Sequence, residues 1–215
     1  MRWKKMKSKL IVLILILIIG SAVFVSAQDR ADALLEYKKG NYNKAVEICL
    51  SEIERMPRNM DSYVVLGWTY IKTGKYQEAL DAGLSALKIS RYDTRIIETV
   101  GEAYYYLGKN LDALKYFEEY TVLAPTGDRI ELAYFFMGEI FIRLGEYHHA
   151  DIAFTTAVYH FPNSARWWSR LGYSREMAED WKYSLEAYEK ALQLNSSYTE
   201  AARGRGRVKA KLGSG

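Results

Sequence analysis

The 215-residue chain is long enough for one domain with a sizeable core, and its 49% hydrophobic and 26% charged residues are those of an ordinary soluble protein. A single cysteine, Cys49, excludes an intramolecular disulfide and a thiolate zinc cage. The net charge of +4 does not point to nucleic acid, because the excess of Lys and Arg lies at the two ends of the chain. Five basic residues precede residue 10, and Arg203, Arg205, Arg207, Lys209 and Lys211 stand against Glu200 near the C-terminus. Residues 28–198 hold 20 basic and 25 acidic groups, a net of −5.

The chain opens on Arg2, Lys4, Lys5, Lys7 and Lys9, followed by an unbroken apolar run from Leu10 to Ile19. Gly20 and Ser21 interrupt it, and Val25-Ser26-Ala27 precedes polar Gln28. Basic, apolar and small-residue regions in that order predict a secretory signal peptide over residues 1–27, cut after Ala27. The alternative is an uncleaved signal anchor, since Leu10 to Ala27 runs 18 residues without a charge, about the shortest length that spans a bilayer. In either case the positive-inside rule places the body outside the cytoplasm. It is then periplasmic or secreted if cleaved, and membrane-anchored through residues 10–27 if not.

Beyond this segment the chain repeats itself. Gly40, Gly74, Gly108 and Gly145 are spaced by 34, 34 and 37 residues. Ala45, Ala79, Ala113 and Ala150 keep the same steps, as do Pro57, Arg91, Pro125 and Pro162. A fifth copy places Glu179, Ser184 and Ser196 in those slots. The copies are 26–59, 60–93, 94–127, 131–164 and 165–198, with Asp128 to Ile130 as three extra residues. Within a copy the apolar spacing is helical: Tyr63, Leu66, Gly67 and Tyr70 share one face, Gly74 breaks the run, and Tyr76, Ala79, Leu80 and Ala86 mark a second helix. Asp61, Asp93 or Thr94, and Ser164 fit helix N-caps, and the three prolines end second helices. Gly67, Gly101, Gly138 and Gly172 fall inside first helices, where glycine costs roughly 1 kcal/mol against alanine, so close helix approach must require them. Residues 199–215 read as a capping helix and tail, weakened by Gly204 and Gly206.

This pattern resembles the tetratricopeptide repeat, whose signature runs aromatic, Leu-Gly, Tyr, turn Gly, Tyr, Ala, aromatic, Ala, Pro. The fourth copy, for example, has Tyr134, Met137, Gly138, Phe141, Gly145, Tyr147, Ala150, Phe154, Ala157 and Pro162. The resemblance implies an all-α, right-handed superhelical solenoid of five helix pairs plus the cap. It also implies a concave groove, lined by the first helices, that holds a protein or peptide. Carried over by register, the groove would be lined by Tyr37, Trp68, Lys72, Arg95, Glu98 and Glu102 in its first half. Tyr105, Phe135, Glu139, Arg143 and Tyr173 would line its second half.

Chemistry-bearing residues are few. His148, His149 and His160 have no carboxylate arrangement suited to zinc and read as solvated helix positions. Cys49 fills a slot that is large and apolar in the family, so it reads as buried and inert. The glycines punctuate helix pairs instead of clustering in a phosphate loop, and no Ser/His/Asp grouping is visible. The expectation is a non-catalytic binding scaffold without cofactor or metal; the alternative is a self-associating structural component of an envelope assembly. The basic stretch at Arg203 to Lys211 could touch an anionic surface, but it also suits the dipole of a last helix.

Overall fold

The computed structural model describes residues 32–213, so residues 1–27, expected to be a signal peptide or signal anchor, lie outside the described residues. Four glycines at 34- or 37-residue steps adopt the left-handed conformation, Gly40, Gly74, Gly108 and Gly145, with φ between 73° and 81°. Each closes a helix in the same way. The amide after the glycine donates back to a carbonyl five residues earlier, as Lys75 does to Tyr70 at 2.8 Å and Glu146 to Phe141 at 2.8 Å. Glu179 takes the fifth turn at φ 62°, with Asp180 N donating to Arg175 O at 2.8 Å. The turn geometry therefore recurs even where glycine does not.

These turns divide the chain into antiparallel pairs: α1 (Ala33–Lys38) with α2 (Tyr42–Arg55), α3 (Met60–Lys72) with α4 (Tyr76–Ile89), and α5 (Thr94–Tyr106) with α6 (Asn110–Leu123). Then α7 (Ile130–Leu144) pairs with α8 (Tyr147–His160) and α9 (Ala165–Met177) with α10 (Trp181–Leu194), before α11 (Thr199–Gly213). Between pairs the backbone turns extended at Met56, Ala124 and Phe161, each the residue before a proline and so disfavoured in helix. Ser90 and Asn195 do the same without proline. Asp93 and Ser164 cap their helices as expected, accepting from the amides of Arg95 and Trp167. Asp61 does not: it sits inside the first turn of α3, whose N-cap is Asn59. Asp32 caps α1 instead, 3.0 Å from the Leu35 amide.

One slot of the second helices explains the interior glycines of the first. It is filled in turn by Cys49, Gly83, Phe117, Phe154 and Tyr188. In the last three repeats the ring lies flat on the partner glycine. A Cβ on Gly101 would come within 3.0 Å of Phe117, on Gly138 within 2.7 Å of Phe154, and on Gly172 within 2.8 Å of Tyr188. In the second repeat the slot is itself glycine, and Val100 and Ile96 of α5 fill the space beside Gly83. Cys49 is fully buried, and burial pushes its thiol up to about 12, so the thiolate is scarce at neutral pH.

The final helix forms despite Gly204 and Gly206, and Gly204 has a packing role in it. Gly204 lets α11 press against the far face of Tyr188, so that ring is held between two glycines. The Tyr188 hydroxyl donates to Glu176 Oε2 at 2.6 Å, and Arg207 grips the same carboxylate through two donors at 2.6 and 2.7 Å. Lys209 pairs with Glu189 at 3.3 Å. Three members of the basic stretch are thus engaged within the fold, Lys211 through the Trp181 ring. Among the described residues no helix is long and apolar enough to cross a membrane.

Candidate functional site

The first helices α1, α3, α5, α7 and α9 share the inner face, and at its middle lies a cavity of about 540 Å³. Its wall is aromatic. Tyr37 of α1 meets Trp68 of α3, with ring centroids 6.2 Å apart, and Tyr105 of α5 meets Phe136 of α7 at 4.7 Å. Phe135 of α7 stacks on Trp167 of α9 at 5.0 Å, and Tyr76 stacks on Tyr106 at 4.6 Å. Such pairs fix one another's rotamers, so the wall is shaped before any ligand arrives.

Of the residues expected to line the groove, the structure brings Tyr37, Trp68, Lys72, Glu102, Tyr105 and Phe135 together around this cavity. Arg95 lies elsewhere, at a second hollow of about 600 Å³ near the first repeat, clamped by Asp61 at 2.7 Å and Asp93 at 2.8 Å. Glu139 accepts two hydrogen bonds from Arg170, at 2.5 and 3.0 Å, whose guanidinium also covers Tyr173. Arg143 lies 4.1 Å above the Tyr105 ring and reaches Asn110 Oδ1 at 3.3 Å. Glu98 does not face the groove's solvent, being 1% exposed.

Glu98 belongs to a buried charge group that the repeat register does not reveal. Arg129 Nη2 donates to Glu102 Oε2 at 2.7 Å, and its Nε lies 2.9 Å from Glu98 Oε1. That second contact is an ion pair out of hydrogen-bond alignment, which leaves both Glu98 oxygens and Arg129 Nε without an aligned hydrogen-bond partner among the described residues. Burial pushes the Glu98 carboxyl up to about 7, against the pull of Arg129, and burial raises Glu102 as well. Arg129 is one of the three extra residues between the third and fourth copies, and its amide is pinned to the Tyr120 hydroxyl at 3.3 Å. Tyr76, Phe136 and Trp167 also line the cavity unforeseen. The histidines sit apart from it: His149 is 3.3 Å from Glu146 Oε2, and His160 stacks on Tyr134.

Residues 30–94 and 132–163 each match a model of the tetratricopeptide repeat. The chain carries tetratricopeptide repeats. Solved structures agree on the fold at low identity. YrrB, described as a tetratricopeptide-repeat protein with an unusual peptide-binding site, is 19% identical with a TM-score of 0.68, covering 87% of this chain and 97% of that one. MamA from Desulfovibrio magneticus RS-1 is 20% identical with a TM-score of 0.64, covering 71% and 84%. A tetratricopeptide-repeat protein from Parabacteroides merdae is 21% identical with a TM-score of 0.66, covering 84% and 71%. No curated protein matches the sequence. The repeats here form a solenoid, and what they hold must be argued from the inner face.

Proposed function

We propose that this protein is a non-catalytic scaffold that holds a protein or peptide segment in its concave groove, outside the cytoplasm. The aromatic cavity carries this reading. Eight aromatic side chains from α1, α3, α4, α5, α7 and α9 converge on it, and its volume is within the roughly 300–1,000 Å³ of sites that accept a ligand of a few side chains. YrrB's peptide-binding site, on the same fold, makes a peptide the natural class of ligand.

Crosslinking in the native cells identifies the partner, and affinities of variants then test the site. Trp68→Ala is expected to weaken binding about ten-fold or more, since an aromatic groove anchor carries roughly 2 kcal/mol when truncated. Lys88→Ala, exposed on α4, should leave affinity unchanged. Loss of binding with Lys88→Ala alone would move the ligand to the outer face. Tyr105→Ala is the poorer probe, because Tyr105 is buried against Phe136 and Arg143 and its loss also loosens the core.

The export half of the proposal rests on residues 1–27. The mature chain is expected to begin at Gln28. Finding the intact N-terminus on cell-associated protein would replace cleavage by the anchored form.

A further inference from the structure

The groove is charged opposite to the body that carries it. Residues 28–198 are net −5, yet Lys72, Arg129, Arg143, Arg166 and Arg170 gather along the inner face against Glu98, Glu102 and Glu139. Arg170 is neutralised by Glu139, and Arg129 by Glu102 and Glu98. Lys72, Arg143 and Arg166 are exposed and have no carboxylate within ion-pair distance among the described residues. Arg143 is laid on Tyr105 and Arg166 on Phe135, 5.0 Å from the ring, so two of these cations are held in place over the aromatic wall. One buried donor at the same place, Trp68 Nε1, has no acceptor among the described residues. An unmet buried donor favours a ligand that brings an oxygen.

Resting on the groove reading above, we infer that the occupant is an extended acidic segment of another protein, with one aromatic or aliphatic side chain in the cavity and carboxylates on either side. The apolar side chain packs among Trp68, Leu132 and Phe136. The flanking carboxylates meet Lys72 on one side and Arg166 and Arg143 on the other. Burial, which favours the neutral form of Glu98, removes part of the opposing negative charge from the floor. Opposite charge at an exposed rim acts chiefly on association rate and is screened by salt.

The test uses the full-length chain and fluorescein-labelled pentapeptides read by anisotropy at low salt. The first has a central Phe between two acidic residues on each side, the second replaces the acids by Lys, and the third keeps the acids around a central Gly. The acidic Phe peptide should bind at least ten-fold more tightly than either other peptide, with the advantage over the Lys peptide shrinking at high salt. Lys72→Glu combined with Arg166→Glu should abolish that preference while the melting temperature is kept. Equal or tighter binding of the Lys peptide overturns the inference. If Trp68→Ala weakens that Lys peptide, the groove reading stands and only the charge is wrong. Equal binding of the Gly peptide also overturns it, as does no detectable binding of any peptide. Tighter binding of a ten-residue thymidine oligonucleotide would overturn it in favour of single-stranded nucleic acid, which uses the same stacking and cationic chemistry.

Discussion

Replacing Gly138 by Leu is expected to destabilise the protein by about 3 kcal/mol, at the upper end of overpacking effects. A Cβ alone at this position would stand 2.7 Å from the Phe154 ring, and that ring is fully buried between α7 and α8. It cannot retreat without disturbing Phe135, whose centroid is 5.6 Å away in the cavity wall. Gly206 supplies the control, since nothing lies within 4 Å of a Cβ there. Gly206→Ala should raise stability by up to about 1 kcal/mol through helix propensity alone. Denaturant melts of the two variants give the comparison, and an unchanged midpoint for Gly138→Leu would mean that the ring does not rest on this glycine.

Arg129→Ala should cost about 3 kcal/mol. Removing one partner from a buried ion pair typically costs 3–5 kcal/mol, and the lower end applies because the Arg129 side chain stays 35% exposed. The variant leaves Glu98 and Glu102 buried together without their cation, and both then favour the protonated form. The sign with pH follows from the protons held. Above the ordinary carboxyl value of 4.5 the unfolded chain releases these protons while the folded variant keeps them. Stability therefore falls as pH rises, by up to about 1.4 kcal/mol per pH unit for each proton retained. The parent shows a gentler form of the same trend between 4.5 and about 7, from Glu98. Melting curves from pH 5 to 8 should show the gap between variant and parent widening with pH. A constant gap would mean that Arg129 contributes packing alone.

The turn glycines and the prolines made the helix pairs legible, because each marks a backbone conformation that other residues adopt at a cost. Glu179 shows the limit: its turn forms through the same hydrogen bonds without that mark. The groove was legible as a face and not as a depth. Register correctly set Trp68, Lys72 and Phe135 on the first helices, but Glu98 shares that face and is sealed beneath Arg129. Arg129 itself lies in the three residues that break the period, so periodicity could not assign it a place. Gly204 resembled a helix breaker because its purpose, contact with Tyr188, depends on a ring sixteen positions earlier.

The grip on Tyr188 also bears on how the molecule opens. Solenoids of this kind commonly lose structure from their ends, one helix at a time. Here α11 cannot lift without exposing the Tyr188 ring and freeing Glu176 from Arg207 at once. The amides of α9, α10 and α11 should therefore exchange with solvent deuterium as one block with a common opening energy, in place of a gradient that declines toward the last residue.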